Sequence, residues 1–533
     1  GTKGVITNST YDTWWHGGFR TAPYFHNSIG ILSEAASARL MTPTTVTREQ
    51  LARSTSRGMR NALEAATNFP DPWPGGEWRP REIMNMEMTA TRSVLGMAAK
   101  FRAEYLRNFY ELSRQNTTAT AAPDEPIAYL IPAGQGRDES VAKLVGALVE
   151  QGIEVQRLDR ELHAAYGPQV LQRTNSATDR LGSYRRIIAH TSGFHEVPTS
   201  SYVVFLSQPQ RRNVLTLLEP QIYPNRTNSQ GEAERPYDVA GWTLSMQLGV
   251  DAPAVTAIQE AVADRRLSMV RDANEVRKDL ALPLKTADSS PIVNPVGQPV
   301  RIGIYKAWTS NMDEGWTRFI FDSFNVPYDS VHNAALRQED LSAKYEAIIL
   351  PSQRAQEIID GNLAGSYPEE FTGGISAAGV VKLKRFVEAG GTLICFDAAC
   401  ELPIKQFNLP LRNALEGLRS SDFYCPGSVL SLEVDNTQAL ARGLARNVDA
   451  YFINSSAFET TDPKVRIIAR YAKENLLRSG WLMGEDKLKG QIALAEVPLG
   501  KGRIVLFAFR PQHRGQTWGT LPFIWNALRP RLS

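Results

Sequence analysis

Cysteine is scarce in this sequence. Cys395, Cys400 and Cys425 are the three in 533 residues, and an odd number of thiols cannot all pair, which excludes a disulfide scaffold. Histidine is little commoner, at seven, so possible metal ligands can be checked one by one. An excess of one charge is also lacking. Lys and Arg number 59 against 56 Asp and Glu, a formal charge of +3, which argues against a surface built to wrap nucleic acid. No run of about 18 apolar residues occurs, so no membrane span is expected. What is present is a globular composition, 42% hydrophobic and 22% charged. The length implies roughly two to four domains.

The chain opens on loop chemistry with heavy anchors. "YDTWWHGGFRTAPYFHN" sets Trp14, Trp15, Phe19, Tyr24 and Phe25 around Gly17-Gly18. "HNSIGILSEAASARL" (26–40) reads as a short buried strand: Ile29, Ile31 and Leu32 lead through Ser33 to Glu34, and small Ala35, Ala36 and Ser37 clear space beyond it. From Thr47, a candidate N-cap, the pattern turns helical. "PDPWPGGEWRP" (70–80) interrupts it, residues 81–115 predict one long helix or two, and "NTTATAAPDEP" (116–126) is linker-like.

At 127 the grammar changes. "IAYLIP" is a strand run, "AGQGR" a turn, "DESVAKLVGALVEQG" an amphipathic helix and "IEVQRL" a strand. This is βαβ order, which implies a parallel sheet. "SYVVFLSQ" adds a strand, and 252–280 reads as mostly helical. After a second linker (285–299) the same grammar restarts. The strands are "VRIGIYKA", "YEAIILPS" and "TLICFDAA"; helices are expected at 313–325 and 376–391; a hairpin at 491–511 turns on Gly500-Lys501-Gly502. The expected fold class is α/β, divided into 1–122, 123–290 and 291–533.

A carboxylate ending an apolar strand loses solvation and suits general acid–base work; a strand-edge Glu paired to Arg20 or Arg39 is the plain alternative. The segment around Glu34 resembles the last catalytic segment of the M14 zinc carboxypeptidases, and most closely a large bacterial subgroup with extra α/β domains. "PWPGGEWRPREI", "PYDVAGWTLSMQLGV", "DEGWTRFIFDSFNVPYDSV", "FYCPGSVL" and "GKGRIVLFAFRPQHRGQT" look like further blocks of it. The resemblance implies that Glu34 is the general base, taking a proton from a zinc-bound water and returning it to the departing amine. It implies a truncated carboxypeptidase-like segment with a helical extension, followed by two α/β domains of class I glutamine-amidotransferase-like, flavodoxin-like type. The intact parent would cut a peptide or protein substrate beside its C-terminal residue, and would be a periplasmic or secreted bacterial protein.

The family binds zinc through His-x-x-Glu and a later His, upstream of the base. Only 33 residues precede Glu34, and none of His16, His26, His163, His190, His195, His332 or His513 has Glu three residues on. Zinc is thus implied by the family while its ligands are not found in this chain. A non-catalytic binding or scaffolding protein is the first alternative. A cysteine-dependent amidotransferase-like hydrolase is the second, although Cys395 and Cys400 lack a G-x-C-x-G setting and read as structural. "PAGQGRDES" (132–140) follows a strand and opens a helix, and reads as a βα turn.

Overall fold

The computed structural model describes residues 3–7, 18–38, 41–52, 62–122, 125–175, 181–189, 192–227, 233–236, 239–261, 266–283, 292–294, 297–338 and 340–529. The chain divides into two compact units, Gly1–Ala119 and Thr120–Ser533.

In the first unit, β1 (Thr44–Val46) pairs antiparallel with β2 (Gly76–Trp78). Thr47 opens α1 (Arg48–Ala52) by exchanging hydrogen bonds with Gln50, each side chain accepting from the other's backbone N–H. The long helical stretch forms as two helices, α2 (Pro80–Lys100) and α3 (Arg102–Thr118), broken at Phe101. The strand expected before Glu34 does not form. Residues 28–38 have no regular structure, and Ile29 and Ile31 are each 67% exposed. A strand needs a neighbour for its backbone groups, and β1 and β2 pair with each other in a two-stranded sheet.

The second unit is α/β. Its first sheet has seven strands: β3 (Ala128–Ile131), β4 (Gln156–Leu158), β5 (Leu162–Gly167), β8 (His195–Val197), β9 (Tyr202–Phe205), β10 (Ala254–Ile258) and β11 (Leu267–Met269), in the order β11-β4-β9-β3-β10-β5-β8. A separate hairpin joins β6 (Gln169–Arg173) to β7 (Tyr184–Ile188). The parallel sheet expected here is not what forms, since every pairing is antiparallel. β3 and β4, linked by α4 (Asp138–Glu150), do run the same way, but β9 lies between them. A βαβ pattern fixes relative direction and leaves adjacency to later strands. The helix expected over 252–280 is also corrected: it supplies β10, β11 and a helix at Ala273–Asp279. Ala254 and Val255 are buried between β3 and β5, and that burial outweighs helix propensity.

The second sheet has twelve strands, of which nine form its main path. Its parallel half contains β12 (Ile302–Tyr305), β13 (Asp329–Val331), β14 (Ala347–Leu350), β15 (Thr392–Phe396) and β20 (Gly502–Phe507). They lie in the order β13-β12-β14-β15-β20, all parallel. This is the flavodoxin-like 2-1-3-4-5 arrangement. Helices α6 (Met312–Ser323) and α7 (Ser376–Glu388) belong to its crossovers. Beyond β20 the sheet turns antiparallel through β19 (Ile492–Leu499), β18 (Arg466–Tyr471), β16 (Ser428–Val434) and β17 (Asn447–Phe452). The strands are continuous apolar runs because helices and loops cover both faces: Ile348, Ile349, Leu393, Ile394, Val505 and Leu506 are fully buried.

Candidate functional site

In doubly wound sheets, ligands are received outside the carboxyl ends of the strands, where successive crossovers part to opposite sides. Here that switch point lies between β12 and β14. Trp308 and Thr309 follow β12, His332 follows β13, Ser352 and Gln353 follow β14, Asp397 follows β15 and Arg510 follows β20. One topological edge therefore gathers residues spread over 203 positions (308 to 510).

The centre of this group is an ion cluster. Arg510 Nε lies 3.2 Å from Asp313 Oδ1 and 3.2 Å from Asp397 Oδ2. Ser352 Oγ donates to Asp397 Oδ2 at 3.1 Å. Burial pushes the Asp397 carboxyl up, against the pull of Arg510 and hydrogen bonds from Ser352 and Ser455. Burial also raises Asp313, to about 7, with Arg510 opposing and Asp397 adding to the rise. Asp313 is placed by the start of α6, where Asn311 caps the helix by accepting from the N–H groups of Asp313 and Glu314. Asn311 Nδ2 also donates to the Ser352 carbonyl at 3.1 Å, joining the two loops. Asn311→Ala is expected to cost about 1 kcal/mol, read as a lower urea midpoint.

Asp397 has φ 48, directly between β15 and the short helical turn Asp397–Cys400. This is a strand-to-helix elbow, where the cysteine-hydrolase alternative needs its reactive thiol. The cysteines lie elsewhere. Cys395 is inside β15, and Cys400 Sγ donates to the carbonyls of Cys395 and Phe507 at 3.3 and 3.2 Å. Both are buried, as is Cys425. Burial raises all three thiols, Cys425 to about 12, so none is a ready thiolate.

An aromatic group forms where the chain leaves β12 and β13. Trp308, 40% exposed, stacks on His332 at 4.1 Å, with Phe371 edge-on at 4.9 Å. Gln353 Nε2 donates to Thr309 Oγ1 at 2.7 Å, while its buried Oε1 has no partner. His513, nearby in sequence to Arg510, is 1% exposed and stacked on Tyr451 at 4.2 Å. Burial and the charges of Arg514 and Arg510 hold its imidazole well below the usual range, hence neutral. The arrangement can hold a ligand against an aromatic face and exchange a proton at Asp313 near neutrality. It offers no exposed nucleophile, because Asp397 is 2% exposed and locked by its partners.

Glu34, the general base expected from sequence, lies elsewhere, in the first unit. It is exposed, within an irregular segment whose neighbours are tied down by Ser33 Oγ to Glu87 Oε2 (3.3 Å) and Trp78 Nε1 to the Ala36 carbonyl (2.8 Å). The water-excluded setting expected for it is absent. Trp14, Trp15, His16, Gly17, Arg39 and His190 fall outside the described residues. Among the described residues, no three or more His, Cys, Asp or Glu side chains gather as a metal ion requires. Also among them, no helix is long and apolar enough to cross a membrane.

Sequence reasoning missed Asp397, Asp313 and Arg510. The signal for Asp397 was present: an acid directly after the apolar run "TLICF", followed by Ala398-Ala399.

No family profile matches the chain, and no curated protein sequence matches it. Solved structures similar to part of it include a β-galactosidase from Bacillus circulans sp. alkalophilus, at 14% identity and a TM-score of 0.27 over 42% of this chain and 30% of that one. PurLQS from Thermotoga maritima aligns at 16% identity and a TM-score of 0.31, over 42% of this chain and 96% of that one. A putative ThuA-like protein from Bacteroides uniformis aligns at 11% identity and a TM-score of 0.25, over 43% and 91%. The chain thus spans under a third of the β-galactosidase, and superpositions this weak carry no functional argument. The α/β class rests on the strand order itself.

Proposed function

We propose that the second unit is a non-catalytic ligand-binding α/β module, carried by a protein of the zinc-carboxypeptidase type. The observation that carries this reading is the elbow after β15. It holds a carboxylate fixed by Arg510 and Ser352, where a working cysteine enzyme needs an accessible thiolate with a base beside it. The carboxypeptidase part rests on sequence resemblance alone, with Glu34 as the base of an intact parent that cleaves next to a C-terminal residue.

The test is native thiol labelling together with a turnover assay. The folded full chain is expected to leave Cys395, Cys400 and Cys425 unlabelled by a disulfide reagent, with all three reacting after denaturation. Ammonia release from glutamine is expected to stay at background. Rapid labelling of Cys400, or glutamine turnover abolished by Cys400→Ser, would return the cysteine-hydrolase reading in place of this one.

A further inference from the structure

A polar cavity lies within the Thr120–Ser533 unit, away from the Asp397 cluster. It encloses about 590 Å³ and is lined from both sheets, a size common for small-molecule sites. The loop after β3 supplies Gln135 and Arg137, the β5–β6 corner supplies Tyr166 and Gln169, and the second sheet supplies Asp449 and Arg478. The "PAGQGR" turn singled out in the sequence is therefore one wall. Gln135 fixes that wall, donating to the carbonyls of Pro132 and Asp251 at 3.0 and 3.1 Å and accepting from the Asp251 N–H at 2.8 Å.

The polar groups of this cavity are unequally satisfied. Asp449 accepts from Arg478 Nε at 3.1 Å. Gln169 is 6% exposed; its Oε1 accepts from Tyr129 at 2.9 Å, and its Nε2 donor has no partner. A buried donor left unpaired costs free energy that a bound acceptor restores. Arg137 lines the cavity as the cation of this wall. Its Nη1 packs on Gly249, where a Cβ would also lie 2.8 Å from the Gly519 Cα. Gly249 also closes the helix α5 (Leu244–Leu248) in the left-handed region, φ 66, so two constraints call for glycine there. The cavity lining thus offers an unpaired donor at Gln169 and the positive charge of Arg137. It also carries the Asp449 carboxylate and Asp251, whose charge acts on Asp449. Leu218, Val250 and Val448 supply apolar surface.

We infer that this cavity binds a small zwitterion, a free amino acid or short peptide, with its carboxylate at Arg137 and Gln169 and its ammonium toward Asp251 and Asp449. The inference rests on the binding-module reading and supplies the ligand class. It places the site at the junction of the two sheets, separate from the Asp397 edge.

The experiment is calorimetric titration of the full chain with leucine and alanyl-leucine, beside N-acetylleucine, which lacks the ammonium, and leucinamide, which lacks the carboxylate. Saturable binding is expected for at least one zwitterion, with each singly charged analogue about tenfold weaker or worse, since a charge-assisted hydrogen bond contributes on that order. Arg137→Gln is expected to weaken the zwitterion about tenfold and to erase its advantage over leucinamide. Asp251→Asn, at an exposed position, is expected to erase the advantage over N-acetylleucine. Arg354→Ala, at an exposed position outside the cavity lining, is expected to change nothing. No zwitterion binding, or equal binding of N-acetylleucine, overturns the inference. Binding lost only in Gln353→Ala, at the Asp397 edge, overturns this site while leaving the module reading intact, and thiol labelling judges that reading independently.

Discussion

Arg510→Ala is expected to destabilise the parallel half of the second sheet by about 3–5 kcal/mol at pH 8, because removing one partner strands the buried charges of the others. Arg510 is the cation beside both Asp313 and Asp397. The loss should depend on pH, and its sign follows from the shifts. Burial raises Asp313 from 3.8 to about 7, so the folded state keeps this proton to a higher pH than the unfolded chain. That contribution to stability is fully present below about 4 and is lost as pH rises through about 7. Arg510 lowers both carboxyls, so its removal lifts them further. The penalty is then largest where both are ionised and shrinks when protonation relieves them. Hydrogen exchange of the β15 and β20 amides at pH 8 and pH 5.5 reads this directly. An equal loss of protection at both values would show that Arg510 serves packing rather than the carboxylates.

The second large effect is expected at Arg503, on β20. Its Nη1 lies 3.1 Å from Glu496 Oε2, and its Nη2 donates to the carbonyls of Ala527 and Arg529 at 2.9 and 2.7 Å. These carbonyls belong to the end of the helix α8 (Leu521–Leu528), where backbone acceptors have no partner within the helix. The Arg503 and Glu496 side chains are 6% and 4% exposed. Arg503→Leu leaves Glu496 buried beside Arg466 alone of its two arginine partners, at 2.6 Å, and releases the helix end. A cost of about 3–5 kcal/mol is expected, seen as a fall in the thermal midpoint and faster exchange in α8. The double variant Arg503→Leu/Glu496→Leu should recover most of it, since apolar replacement of a whole buried pair is often close to neutral. A double variant as unstable as the single one would place the cost in the helix carbonyls instead.

The α/β class, the strands at 302–305, 347–350 and 392–396 and the 491–511 hairpin were legible from residue order. Each is an apolar run of strand length bounded by turn residues, and little else satisfies that pattern. The helical stretch was legible over 81–115 as one helix or two, through its spacing, and the structure places the break at Phe101. Local pattern misled where pairing decided the outcome. "NSIGILSE" has strand composition and no strand beside it, so Ile29 and Ile31 stay exposed. Residues 254–258 sit inside a stretch read as helical, yet Val255, Thr256 and Ile258 are β-branched and the segment fills the gap between β3 and β5.

The sequence by itself determined where the apolar runs begin and end, that the thiols would be few, and that charge would be balanced, because these follow from composition and from residues close together in the chain. Tertiary structure alone decided that β9 separates β3 from β4, that Asp397 and not a cysteine occupies the elbow, and that Arg510 reaches two acids 113 and 197 positions away, because pairing and burial join residues distant in the chain.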